Sequence, residues 1–263
     1  MPRYENNGSD LYYASDGEGN PIVLLHCLPT DHRLWKNQVF SLSPRFKTLA
    51  PDFRGLGLSE DTDAAIDLDL LSNDILKLME MEKIDGAVLA GVSLGAAVAQ
   101  HFTVKHPDRV RALVLSGTMH TSQSESLQRH FDGRIAGYSS EDARSYYLKQ
   151  LESIFSPTFA TSSEGREIIR SYMDRWEHIS HSSIIKLFQA LKGLDLEDEI
   201  SSIGVPTLIV AGELDNAFNS CKVISERIEG SIFVPVKGGG HAVNLDSPVE
   251  YNKALTAFLE KLP

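Results

Sequence analysis

The 263-residue sequence is short of cysteine and of positive charge, and it has no long apolar run. Two cysteines, Cys27 and Cys221, are too few for a disulfide framework and match no spacing that holds zinc. Lysine and arginine number 25 against 36 aspartates and glutamates, for a formal net charge of -11. A chain of that sign gains nothing from a phosphate backbone or an anionic bilayer, so no nucleic acid and no membrane is expected as a partner. No apolar stretch approaches the ~18 residues of a membrane span, and the polar start from Met1 to Asp10 lacks the apolar stretch of a secretion signal. The expectation is a reduced, cytoplasmic protein. Internal repeats and low-complexity linkers are also missing.

What is present is ordinary for a globular protein: 42% hydrophobic and 23% charged residues. Short apolar runs alternate with longer amphipathic ones. Leu11 to Ala14, Ile22 to His26, Phe46 to Ala50, Ala87 to Ala90 and Val110 to Leu115 read as strands. Asp69 to Met81 and Leu94 to His106 carry apolar residues at helical spacing. Runs that are apolar throughout suit strands covered on both faces, and the alternation predicts a mainly parallel sheet wrapped by helices. From Met119 to about Ile200 the pattern is mostly helical. Strands then resume at Thr207 to Ala211 and Ile232 to Val236, followed by a helix from Pro248 to Leu262 whose start reads as a capping box of Ser247 and Glu250. The simplest layout is one α/β core, residues 1–118 and 201–263, with a helical cap inserted at 119–200.

The pentapeptide Gly91-Val92-Ser93-Leu94-Gly95 follows an apolar strand and opens an amphipathic helix. That is the strand-turn-helix setting of a nucleophile elbow, in which a sharp turn lifts the central serine above the sheet edge. Gly91, Gly95 and Ala96 supply the small neighbours that such a turn requires. A serine hydroxyl needs a base within hydrogen-bond reach, and the base needs an orienting group. Of nine histidines, His241 sits best, in a glycine-rich loop after the last strand. Asp215, after the strand Thr207 to Ala211, is the expected acid, with Glu213 as its rival; Asp246 reads as a loop or cap carboxylate. The order nucleophile, acid, histidine fits this architecture. The N–H of Leu94, next after the nucleophile, would supply one oxyanion donor, and the N–H of Leu28 in the loop after an early strand the other.

These segments together resemble the α/β-hydrolase fold superfamily, in its subgroup with an inserted cap. The matching stretches are His26-Cys27-Leu28-Pro29, Asp52 to Ser59, the elbow, His106 to Val110, Gly212 to Asp215, and Gly240-His241. Leu28 to Asp31 with Trp35, and Phe155 to Phe159 in the cap, are similar to 3-oxoadipate enol-lactonases and their relatives. The resemblance implies a doubly wound α/β sheet, the triad Ser93, Asp215 and His241, no cofactor and no metal. It also implies a structural role for Arg54, paired with a carboxylate. Most relatives have glycine where this chain has Cys27.

The expected reaction is hydrolysis of an ester or lactone, a small to medium and largely apolar molecule, through an acyl-enzyme. Two alternatives stay open: carbon–carbon bond hydrolysis or another reaction on the same triad, and a ligand receptor of the same fold with little turnover. Cys27, Met119, His120 and Trp176 are the expected pocket residues, and the other histidines of the insertion are expected at the surface. No cluster of arginines stands out as a clamp for a dianionic acid.

Overall fold

The computed structural model describes residues 2–262. Eight strands form one sheet: β1 (Arg3–Asn6), β2 (Ser9–Asp16), β3 (Asn20–Leu25), β4 (Phe46–Pro51), β5 (Ala87–Val92), β6 (Val110–Ser116), β7 (Thr207–Gly212) and β8 (Ile232–Val236). Their order is β1-β2-β4-β3-β5-β6-β7-β8. Pairing is antiparallel at β1/β2 and β2/β4 and parallel from β4 to β8. β5 and β7 are buried at every position, which is why their sequences are apolar without alternation.

Between β3 and β4 lies α1 (Lys36–Leu42), and α2 (Leu68–Met81) precedes β5. The Asp67 carboxylate caps α2 by accepting from the Leu70 N–H, and Leu71, Ile75 and Leu78 form its buried stripe. α3 (Leu94–Lys105) follows β5 and is buried on almost every side. Between β6 and β7 the chain forms α4 (Glu125–Tyr138), α5 (Ala143–Ser153), α6 (Pro157–Ala160), α7 (Ser163–Met173) and α8 (His181–Lys192). It then makes α9 (Phe218–Arg227) before β8, and α10 (Val243–Asp246) and α11 (Pro248–Leu259) after it. The chain leaves and rejoins the core through a paired neck: Thr121 bridges Asp195, and the Leu196 N–H donates to the His120 carbonyl.

The sequence pattern does not anticipate β1, α1 or α9. β1 is a polar edge segment, α1 is short, and α9 buries only Cys221 and Ile224. The expected capping box at Ser247 does not form. Ser247 makes no side-chain cap bond; its hydroxyl donates to Asp246 Oδ1 instead. Among the described residues no helix is long and apolar enough to cross a membrane.

Arg54 is fully buried and pairs with a carboxylate, as the resemblance implies. Its Nε and Nη2 donate to Asp74 at 2.7 and 2.6 Å, Nη1 also donates to Ser9 Oγ, and Nη2 to the Asn6 carbonyl. This fork ties the turn after β4 to α2 and to the β1/β2 edge. Asp74→Ala would leave a buried guanidinium without its counter-charge, at a cost of about 3–5 kcal/mol. Urea unfolding of Asp74→Ala is expected to show that loss, and Arg54→Met with Asp74→Leu to recover most of it.

Candidate active site

β3 pairs with β4 on one side and β5 on the other, so the strand order reverses at β3/β5. In open parallel sheets, ligands bind in the crevice outside the carboxyl ends of the strands at such a reversal. The loop Cys27–Leu28 follows β3 and Ser93 follows β5, so both lie at that crevice. Asp215 follows β7 and His241 follows β8, at the same end of the sheet.

Ser93 adopts φ 54° and ψ -112°, a left-handed backbone that few side-chain-bearing residues accept. The flanking glycines make the turn possible. A Cβ on Gly91 would stand 2.4 Å from the Ala96 nitrogen, and one on Gly95 2.1 Å from the Leu25 carbonyl oxygen. The Gly95 N–H donates to the His26 carbonyl at 3.1 Å, which stitches the head of α3 to the loop after β3. His26 is fixed in turn. The Phe53 N–H donates to its Nε2, and its Nδ1 lies 3.0 Å from the Cys27 carbonyl. The Leu28 and Leu94 N–H groups have no hydrogen-bond partner among the described residues.

His241 Nδ1 lies 2.9 Å from Asp215 Oδ1. The carboxylate accepts there, so the proton sits on Nδ1 and Nε2 is left as a base. The same oxygen accepts from the Ala217 N–H at 3.0 Å, and the other Asp215 oxygen is buried without a partner. Burial works against the charged form of each member. The pairing outweighs it, so His241 is raised above the ordinary histidine range and Asp215 is lowered below the ordinary carboxylate range. Glu213, the rival acid, is exposed.

Ser93 and His241 line one cavity of about 450 Å³, without a hydrogen bond between them among the described residues. Such contacts commonly tighten only once substrate is bound. The wall includes Leu28, Met119, Phe131, Phe155 and Phe188, so it is largely apolar.

Of the expected pocket residues, Met119 lines the cavity and three do not. The Cys27 side chain is fully buried, with Sγ 3.6 Å from Thr30 Oγ1. Burial pushes its thiol up to about 12, which removes it as a competing nucleophile. His120 turns to the neck, where its Nε2 meets Glu197 at 2.9 Å. Trp176 is buried among the helices between β6 and β7, with its ring tilted against Tyr147 and His181. His130 is exposed, as expected, and also borders the cavity beside the half-buried Arg134. Both come from α4, where Ser126, His130 and Arg134 recur every four residues. That spacing is visible in the sequence, but it does not say which face of the helix meets the core.

Asp246 is the other residue whose place the sequence does not reveal. Its Oδ2 accepts from the Gly240 N–H at 2.8 Å and from the Ser156 N–H at 2.9 Å. The Ala242 N–H donates to the Ile154 carbonyl. One carboxylate thus joins the His241 loop to the segment between α5 and α6. Asp246→Ala is expected to lower kcat/KM about ten-fold by loosening this loop. It is also expected to move the acid limb of the pH–rate profile down, since the Asp246 charge helps to raise His241. A stability change with an unmoved limb would contradict that role. Asp31, His32 and Asp52 also cluster closely, but they are bonded to protein groups: Asp52 holds the His32 ring and the Leu58 N–H, and Asp31 holds Arg33.

The sequence profile described as alpha/beta hydrolase fold matches residues 20–248. The AB hydrolase superfamily protein YisY of Bacillus subtilis (strain 168) is 25% identical over 259 residues, covering 94% of each chain. A non-heme chloroperoxidase of Streptomyces lividans is 25% identical over 276 residues, covering 97% of this chain and 98% of its own. Among solved structures, the enol-lactonase from Burkholderia xenovorans LB400 superposes with a TM-score of 0.91 at 26% identity, over 99% of this chain and 100% of that one. The relatives' names span different chemistries on one scaffold. The elbow, the sheet order and the profile match over most of the chain agree: this chain belongs to the alpha/beta hydrolase fold family and is one of its enzymes.

Proposed function

We propose that the protein is a serine hydrolase that cleaves an ester or lactone through an acyl-enzyme. Ser93 Oγ attacks the carbonyl carbon while His241 Nε2 takes the hydroxyl proton. Asp215 holds the imidazole in the required tautomer and stabilises the imidazolium without accepting its proton. The Leu28 and Leu94 N–H groups receive the developing oxyanion; each such donor is worth about 3 kcal/mol of barrier in comparable sites. His241 returns the proton to the leaving oxygen. A water, deprotonated by the same nitrogen, then attacks the acyl-enzyme and frees Ser93. In a lactone the leaving oxygen stays on the acyl chain, so a single hydroxy acid is released.

The observation that carries this reading is the strained Ser93 at the head of α3, sharing a cavity with a histidine that a buried aspartate holds at 2.9 Å. The apolar wall suits a small to medium, largely apolar acyl or alcohol group. The likeness to an enol-lactonase supports including lactones.

A panel of esters, lactones and 1,3-diketones, followed to many turnovers, tests the reading. Multiple turnover of esters, with a burst of the released alcohol, or of lactones is expected. Turnover confined to diketones would replace it with carbon–carbon bond hydrolysis, and a single slow turnover with a receptor.

A further inference from the structure

The end of β6 touches both partners of the proposed proton transfer. The Ser116 carbonyl, last in the strand, accepts from the Ser93 N–H at 2.9 Å. The next residue, Gly117, is buried and lies against His241. A Cβ on it would stand 2.9 Å from His241 Nδ1, 3.0 Å from Cε1 and 3.1 Å from the His241 carbonyl oxygen. The first is closer than Cβ atoms come to a non-bonded neighbour, so the ring or the backbone would have to move. The ring has little freedom to do so, because Nδ1 is the atom that Asp215 holds at 2.9 Å. Gly117 also adopts φ 57°, in the left-handed region that glycine enters without strain.

This segment is fastened from behind. The Thr118 N–H donates to Cys221 Sγ of α9 at 3.4 Å. Gln100 of α3 donates through Nε2 to Thr118 Oγ1 and to the Met119 carbonyl, both at 3.2 Å. Thr118, Cys221 and Gln100 are all buried. A close-packed support of this kind passes a displacement on instead of absorbing it. His241 has to present Nε2 to Ser93 while Nδ1 stays on Asp215, and a shift of the ring spoils both contacts.

We propose that Gly117 is a positioning residue for His241: its missing side chain lets the end of β6 seat the imidazole on Asp215, beside the carbonyl that holds the Ser93 N–H. This rests on the hydrolase reading above and adds the residue that sets nucleophile and base relative to one another. Gly117 acts through the base, so its loss should be felt in the chemical step and in the basicity of His241.

The test compares Gly117→Ala with Gly230→Ala. Gly230 lies between α9 and β8, also has a left-handed φ of 71°, and a Cβ there meets no atom within 4 Å. Both variants therefore carry the backbone strain, and only the first pushes on His241. On an ester that the wild type turns over, Gly117→Ala is expected to lower kcat about 100-fold with KM little changed, and Gly230→Ala to leave both alone. A raised KM at unchanged kcat would make Gly117 a piece of cavity wall only, and would overturn the proposal.

NMR titration of the His241 Cε1–H reads the same effect without turnover. Burial lowers the pKa of this histidine, and Asp215 more than restores it. The other charged or titratable groups facing the ring are Asp246 in α10 and Arg134 and His130 in α4, and the end of β6 brings none. Gly117→Ala should titrate at lower pH than the wild type, and Gly230→Ala at the same pH. Equal titration of all three also overturns the proposal. If Gly117→Ala does not fold, Gly117→Asn keeps the Cβ in a residue that tolerates the left-handed backbone better, and the same fall is expected. If the wild type turns over no ester and takes no fluorophosphonate, the hydrolase reading fails, and the titration still decides whether Gly117 seats the ring.

Discussion

Ser93→Ala is expected to lower kcat roughly 10⁵-fold or more on any ester the wild type turns over. Among the described residues no other hydroxyl lining that cavity sits at a positive-φ strand-to-helix turn, and a lost nucleophile removes the work of the whole triad. The residue's backbone adds a second expectation. At φ 54° and ψ -112° Ser93 sits where glycine is at ease and other residues are strained. Ser93→Gly should therefore be as inactive as Ser93→Ala, yet more stable than the wild type by about 1 kcal/mol, the lower end of such strain. Urea midpoints together with ester assays check both halves. A Ser93→Gly protein that is inactive and less stable would mean that the turn is relaxed and the serine incidental to it.

Asp215→Asn is expected to cost roughly 10⁴-fold in kcat, since an amide can hold the ring in the wrong tautomer and cannot stabilise the imidazolium. The pH profile gives the sign. Activity needs neutral His241, so it falls as pH drops through the histidine's pKa. In the wild type Asp215 raises that pKa against the effect of burial, so the acid limb should lie above the ordinary value of about 6.5. In Asp215→Asn burial is no longer opposed by the carboxylate, and the limb of the residual activity should move down. Stopped assays between pH 5 and pH 9 would show the shift. A limb that stays in place would make Asp215 a structural neighbour and reopen the assignment of the acid.

Much of this site is legible in the chain because strong local rules govern it. An apolar run, two glycines around a serine and an amphipathic helix leave little choice of turn, and Asp215 and His241 follow strands whose apolar pattern marks the same sheet. The pocket is harder because its walls are set by how the helices of the insertion pack. Trp176 and the cavity-bordering residues of α4 show why. An aromatic residue is expected in a pocket, but Trp176 is spent on packing against Tyr147. The apolar stripe that seats α4, with Phe131 against Phe188, brings the half-buried Arg134 and the exposed His130 to the border of the cavity, which helical spacing alone does not reveal. Cys27 shows a third limit. The sequence places it in the oxyanion loop, whereas only the fold shows its thiol directed to Thr30 while the loop stays anchored through the His26 carbonyl to Gly95. Asp246 is illegible for a similar reason, as its partners Gly240 and Ser156 are joined only by tertiary packing.

The most direct measurement of the central claim is labelling with a fluorophosphonate, read by intact mass and then by peptide mapping. The account predicts one adduct per chain on Ser93, formed fast in the wild type, slowly in Asp215→Asn and not at all in Ser93→Ala. An unlabelled wild type that turns over esters, or a Ser93→Ala protein that still takes the label, would contradict it.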